Sequence, residues 1–417
     1  MLSIPMTPGR FSTKALMTLA AAMAIVCVSA QTPVPGQGRG GRGIQAPLYP
    51  VLPIGSDLPA FNLPGVDGRN HTPQEFRNAK VVAVMFESNH CPASLTYQER
   101  AHQLLATFKS RGYAMILINP NNPKAVRLNE LGYTDMSDSF EEMKVRARFN
   151  GWTLPYLYDG ETQKTAMMFG AVATPHIFIF DRQRKLRYQG AIDDSRNAAN
   201  VRHHYAADAI DALLSGRPVP TAETRALGCS TKWIHLSTGV EEERQAIERT
   251  PVTLSAIDAA GLETLRRNAT NKTMVVSFWK MGDKVSEAQF ADLQTSFRMY
   301  SLSPRPVDMV TVSTDAPSQS AAVLAYLQQQ HATSTNRQFA SSDVAALQAA
   351  FGMKWNVSRP FTVVIDPAGN VAYQREGAID IREVRRVILS TVPDNPSWPM
   401  IQDYYKKVLA RMASARR

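Results

Sequence analysis

The chain has 417 residues, 44% of them hydrophobic and 20% charged, with a formal net charge of +10 at pH 7. That length holds two or three domains, each with its own core, and the composition is that of an ordinary globular protein. The positive surplus is spread along the chain with no nucleic-acid module in it, and no segment beyond residue 30 is apolar for long enough to cross a membrane.

Arg10 and Lys14 precede the apolar run "ALMTLAAAMAIVCV", and Val28 and Ala30 supply the small residues of a cleavage site. The pattern predicts a signal peptide over residues 1–30 cut near Ala30. The protein is then periplasmic or secreted, touching the membrane only through that signal. Residues 31–50 are rich in Pro and Gly without an apolar period, and predict a flexible leader. Beyond it, Asp67–Gly68 marks a hairpin-like turn. "AKVVAVMF" reads as a buried strand, "SLTYQERAHQLLATFKSRG" as a helix closed by Gly112, and "YAMILINP" as a second buried strand. "DSFEEMKVRARFNG" reads as a helix with Asp138 or Ser139 as its N-cap. "HIFIFD" and "LRYQGAID" follow as strands, and "VRHHYAADAIDALLSG" as a helix carrying His203 and His204 on its polar surface. Strands alternating with helices predict an α/β domain over residues 51–234.

The chain then partly repeats itself. "FGAVATPHIFIFDRQRKLRYQGAID" from Phe169 is matched by "FGMKWNVSRPFTVVIDPAGNVAYQREGAID" from Phe351, and "VVAVMFESNHCPAS" by "MVVSFWKMGDKVS". Pro360 takes the place of Pro175. A second homologous α/β domain is expected over residues 255–417, joined through the polar, helix-prone "EEERQAIERTP".

Without the signal, the cysteines are Cys91 and Cys229. They are one bridge, two thiols, or one working thiol and one structural residue. Cys91 stands where a strand hands over to a helix, with Pro92 at the first helical position; a helix N-terminus stabilises a thiolate. Ser94 replaces the second cysteine of a C-x-x-C pair, which removes a local dithiol, and its hydroxyl is available to donate to the thiolate. Arg100 and Lys80 are not placed to add much. His90 is expected to point away from its neighbour Cys91, and Asp193 and Asp194 to end a strand. No histidine–cysteine spacing fits a metal, and no cofactor is implied. In the second copy Asp283 and Ser286 hold the corresponding positions, so that domain is expected to be a degenerate binding or spacing module.

A strand, a Cys-Pro elbow, a helix, a strand and then "ATP" before another strand resemble the thioredoxin superfamily in its peroxiredoxin-like (redoxin, AhpC/TSA-type) branch. "NHCP", "INPN", "DSFEEMK", "PYLYD", "TPHIFIFD", "GAIDD" and "GCSTKW" are similar to one group of exported thioredoxin-like proteins, over about residues 50–234. The resemblance implies two tandem thioredoxin-like domains, each a central mixed sheet flanked by helices. It implies Thr174–Pro175 as a cis-proline loop facing the elbow, where with Pro92 it lines the substrate groove. It makes Cys229 the candidate resolving partner of Cys91, the alternative being a small buried residue near Trp233. Members of the group often carry cysteine where this chain has Ser88. Ser88 also stands where peroxidases place threonine, but Val84 replaces their proline, so that motif is half present. The expected function is a thiol-dependent antioxidant or oxidoreductase acting on a thiol/disulfide or peroxide substrate with an external thiol reductant. The alternatives are a monothiol disulfide exchanger and a non-catalytic module holding an extended peptide in the cis-proline groove.

Overall fold

The computed structural model describes residues 48–303, 305–394 and 400–415; the expected signal peptide and most of the expected leader lie outside them. The described elements open with a hairpin of β1 (Leu63–Pro64) and β2 (Asn70–His71), turning at Gly68, whose φ of 83° suits a residue without Cβ. There follow β3 (Val81–Phe86), α1 (Pro92–Phe108), β4 (Tyr113–Asn119), a single-turn α2 (Leu128–Leu131), α3 (Phe140–Asn150) and β5 (Tyr156–Tyr158). Then come α4 (Lys164–Phe169), β6 (Ala173–Thr174), β7 (His176–Phe180), β8 (Leu186–Gly190), α5 (Tyr205–Leu214) and β9 (Cys229–Ser230).

The first sheet runs β5-β4-β3-β7-β8, with β3, β4 and β5 parallel and β7 and β8 antiparallel to their neighbours. β3 is apolar on both faces because both are covered. Val81, Ala83 and Met85 pack on α1, α3 and α5 through Tyr97, Met143 and Ile210. Val82, Val84 and Phe86 pack on Phe169, Phe178 and Leu157. Each such side chain contributes ~1.5–3 kcal/mol by leaving water, which fixes the strand that aims the elbow.

After α6 (Ser237–Glu248) the pattern recurs with β10 (Ser255–Ile257), α7 (Ala259–Arg267), β11 (Thr273–Trp279), α8 (Lys284–Ser301), β12 (Val307–Ser313), α9 (Ser320–Gln329) and β13 (Thr335–Phe339). It is completed by α10 (Val344–Phe351), β14 (Phe361–Ile365), β15 (Val371–Glu376), α11 (Ile381–Thr391) and α12 (Ile401–Ala415). The order β10-β13-β12-β11-β14-β15 repeats the first sheet with one added edge strand. The two halves share packing: Leu95 of α1 and Phe149 of α3 enter the cluster built by Leu293, Ile388 and Tyr405. From Pro47 onward the chain is one compact unit. Among the described residues no helix is long and apolar enough to cross a membrane.

One open choice is decided and two local expectations are corrected. Ser139, not Asp138, caps α3, accepting from the Glu142 amide, because Asp138 is drawn inward by other partners. His203 and His204 precede α5 as exposed residues; bonds of Arg202 N to Asp194 Oδ1 and of Asp194 N to His203 O hold them outside the helix. The one cis peptide bond among the described residues is Thr174–Pro175, so Pro360 keeps its place in the fold with a trans bond.

Candidate active site

The strand-to-helix handover puts Cys91 at the N-cap of α1, with φ −80° and ψ 117°, and Pro92 at the first helical position. Cys91 is 0% exposed and Cys229 is partly exposed. Although 138 residues apart, their sulfurs lie 2.7 Å from one another, both as free thiols. Backbone pairing explains the approach. β6 and β9 run antiparallel with Thr174 opposite Cys229, and the Cys91 thiol also reaches the Thr174 carbonyl at 3.1 Å. At Gly228 a Cβ would lie 2.0 Å from the Thr174 oxygen and 2.8 Å from the Pro175 nitrogen, so only glycine lets the tail run against the cis-proline loop. Beyond Cys229 the tail is pinned. Thr231 Oγ1 donates to Ala171 O at 2.5 Å, and Lys232 N to Asn121 Oδ1 at 2.8 Å. Ile234 N donates to Gln163 Oε1 at 2.8 Å, and Lys232 Nζ pairs with Glu130 at 2.5 Å.

Cys91, Cys229, Thr174 and Pro175 thus meet at one point, with Pro92 buried beside them. The two serines differ in what they bond. The Ser88 hydroxyl bonds Thr174 Oγ1 at 3.0 Å and makes no bond to the sulfur. Against expectation the Ser94 hydroxyl makes no bond to the sulfur; its backbone amide, third in the helix, is one of the groups that favour the Cys91 anion. That follows from helix geometry, which aims the third amide at the capping residue. Arg100 turns away to Asp193 at 2.5 Å and to the carbonyls of Ser195 and Arg196.

The electrostatics favour one thiolate. Burial opposes the Cys91 anion, but the Cys229 thiol, the His90 charge and the Ser94 and Cys229 amides together bring Cys91 down to about 6. The contact with Cys91, then burial, push Cys229 upward. His90 does not bond the sulfur. Its Nδ1 meets Asp138 Oδ2, and although burial disfavours the imidazolium, the Asp138 charge holds its pKa above the ordinary value. Asp138 is the hub that sequence reading missed. Burial opposes its charge, but the His90 charge and bonds from His90, Asn121 and Asn119 keep it ionised. Its place in "DSFEEMK" was a signal, read there as a cap. Glu87 was missed too. Fully buried, with Oε1 accepting from Gln98 and Oε2 unpartnered, it is pushed by burial up to about 8 and stays protonated at neutral pH.

Residues 54–189 match the AhpC/TSA family. Over those residues the chain is of the thioredoxin superfamily, redoxin type. Two solved structures are similar to this chain along most of their own lengths. A hypothetical protein from Sinorhizobium meliloti shares 31% identity over 44% of this chain and 96% of its own, with a TM-score of 0.40. An uncharacterized conserved protein from Geobacillus kaustophilus shares 37% over 43% of this chain and 92% of its own, with a TM-score of 0.39. A thiol-disulfide oxidoreductase from Bacteroides fragilis shares 16% over 32% of this chain and 89% of its own, with a TM-score of 0.26. No curated protein matches the chain. The redoxin fold fits thiol–disulfide oxidoreductase or peroxiredoxin-like activity on thiol/disulfide substrates.

Proposed function

We propose that the protein is an exported thiol–disulfide oxidoreductase whose working unit is a reversible Cys91–Cys229 disulfide. The observation that carries this reading is the 2.7 Å approach of one acidified and one unacidified sulfur. In the oxidised form a substrate thiolate attacks Sγ of Cys229, the more exposed sulfur. The Cys91–Cys229 bond breaks and Cys91 leaves as the better-stabilised thiolate, which favours this direction of cleavage. A second substrate thiolate then attacks the substrate sulfur of the mixed disulfide. Cys229 leaves and takes a proton, so the substrate dithiol is oxidised by two electrons and the protein disulfide is reduced to two thiols. Run in reverse, the same steps reduce a substrate disulfide and consume an external thiol reductant. Export is part of the proposal and rests on the signal-like residues 1–30.

A second reading, peroxide reduction, draws on the AhpC/TSA match. There the Cys91 thiolate attacks one peroxide oxygen, the O–O bond breaks, and the other oxygen leaves as hydroxide or alkoxide and takes a proton, leaving a sulfenic acid on Cys91. Cys229 condenses with it, releasing water, and an external thiol reductant restores both thiols. In this reading Ser88, bonded to Thr174 Oγ1, stands where peroxidases place threonine. Non-reducing peptide mapping after diamide treatment tests the couple: a Cys91–Cys229 linked peptide is expected, and two free thiols would overturn it. Hydrogen peroxide consumption with a dimedone-trapped Cys91 would replace the first reading by the second.

A further inference from the structure

Residues 132–139, between α2 and α3, are held from two sides. On one side they hold the elbow. Asp138 Oδ1 accepts from the Asn89 amide at 2.6 Å and the His90 amide at 3.3 Å, while Oδ2 meets the His90 ring. Ser137 O accepts from Asn89 Nδ2 at 2.9 Å. On the other side they are held by helices of the second domain. The Asp135 amide donates to Tyr405 Oη at 2.9 Å, and that hydroxyl donates back to Asp135 Oδ1 at 3.0 Å. Arg386 Nε donates to Asp135 Oδ2 at 2.7 Å, and Arg146 Nη2 of α3 to Oδ1 at 2.6 Å. Gly132 lies so close to α8 that a Cβ would stand 2.5 Å from the Met299 oxygen, and Arg305 stacks over Tyr133 at 4.4 Å.

Asp135, Arg146, Arg386 and Tyr405 are all buried. Burial opposes the Asp135 charge, but the two guanidiniums hold it down at about 2, so the joint stays ionised at any working pH. A buried ion pair is a poor source of net stability because desolvation offsets its attraction, and fixing a unique geometry is the better account of its presence. Asp138 follows this joint closely on the same loop.

We infer that the cysteine-free second domain positions the thiol site. Arg386 and Tyr405 clamp Asp135, which fixes the 132–139 loop and so sets Asp138 against His90 beside Cys91. The inference rests on the reading of Cys91 as the working thiol. Arg386 and Tyr405 are positioning residues, remote from the sulfur. The ionisable groups around the sulfur are Glu87 and His90 of the elbow, Asp138 of the loop, and Cys229 and Lys232 of the tail with Glu130 of α2. Of these, only Asp138 sits on the clamped loop.

The test is the pH dependence of iodoacetamide alkylation at Cys91, read by peptide mass mapping on the full mature chain. The midpoint is read together with the plateau rate: loss of the Asp138 placement raises the midpoint at an unchanged plateau rate, whereas a merely loosened structure raises the plateau rate as well. Wild type is expected to titrate near 6. Tyr405→Phe is expected to raise the midpoint by about one pH unit, a tenfold loss of thiolate at acidic pH. Asp138→Asn, which acts on His90 directly, sets the full size of the effect. Arg386→Gln is the second variant should Tyr405→Phe fail to fold by near-ultraviolet circular dichroism. A folded Tyr405→Phe or Arg386→Gln with the wild-type midpoint overturns the inference while leaving the thiol reading intact. A wild-type midpoint near the free-thiol ~8.5 removes the thiol reading, and the inference with it.

Discussion

The two elbows of this chain share the backbone conformation of their N-cap residue and differ in what stands on it. Cys91 (φ −80°, ψ 117°) and Asp283 (φ −83°, ψ 112°) are both N-caps at the end of the central strand of their sheet. The Asp283 carboxylate accepts from the Ser286 amide at 2.7 Å and closes a true cap, while the Cys91 sulfur closes none. The surroundings diverge as well. Every residue from 81 to 95 is buried, whereas Lys280 and Gly282 of the second elbow are exposed. The first elbow is covered by the 132–139 loop and the 228–233 tail. The fold thus provides a helix N-terminus in both halves, and only the covering segments turn one of them into a low-polarity thiol site.

The severest break in that comparison is Cys91→Ser. It is expected to abolish the linked peptide and all thiol exchange through the couple, leaving Cys229 as a lone thiol with no partner sulfur to close on. Trapping with a small aromatic disulfide, followed by mass analysis, measures the loss. Equal exchange rates in wild type and variant would remove Cys91 from the mechanism.

Glu87→Gln sharpens the contrast through pH. Glu87 is fully buried and its pKa is raised to about 8, so the folded state holds its proton longer than the unfolded chain does. The stability it contributes is complete below the ordinary carboxylate range and is lost as pH rises through 8. Glutamine mimics the protonated form and does not ionise. The variant and wild type should unfold alike in urea near pH 4. At pH 9 the variant should be the more stable by a few kcal/mol, since each pH unit between the folded and unfolded titrations of a group is worth about 1.4 kcal/mol. Parallel stability–pH curves would show that Glu87 is ionised in the fold.

Gly228→Ala tests the tail. The added methyl has nowhere to go but into the Thr174 carbonyl, an overpacking error of about 1–3 kcal/mol. Urea midpoints should fall, and formation of the Cys91–Cys229 peptide in glutathione disulfide should slow. An unchanged rate would mean that the tail can approach the elbow by another path.

Much of this was legible in the sequence because it is local. Buried strands announce themselves as "VVAVMF" and "YAMILIN", the turn as Asp67–Gly68, the elbow as Cys91–Pro92, and all of these form in the structure. The Cys91–Cys229 approach was reachable only through family resemblance, since nothing in a spacing of 138 residues brings the sulfurs together. Asp138, Glu87 and Asp135 were illegible for a physical reason. A carboxylate's role is set by partners that burial selects, here His90, Gln98, Arg386 and Tyr405, and those lie 48, 11, 251 and 270 residues away. Ser94 misled because a hydroxyl's spacing from a sulfur does not fix its rotamer.

The smallest effect belongs to the silent elbow. Asp283→Ala removes the bond to the Ser286 amide and leaves one more unpaired donor at the start of α8. A loss of about 1 kcal/mol is expected, with Asp283→Asn recovering most of it because asparagine caps as well. Neither variant should move the Cys91 alkylation midpoint, since α8 stays folded and the joint at Asp135 stays closed. Thermal or urea unfolding gives the first number and peptide-mapped alkylation the second. An Asp283→Ala chain as stable as wild type would mean that the carboxylate is not there as a cap. The cysteine-free elbow would then need a different explanation from the structural one its geometry supports.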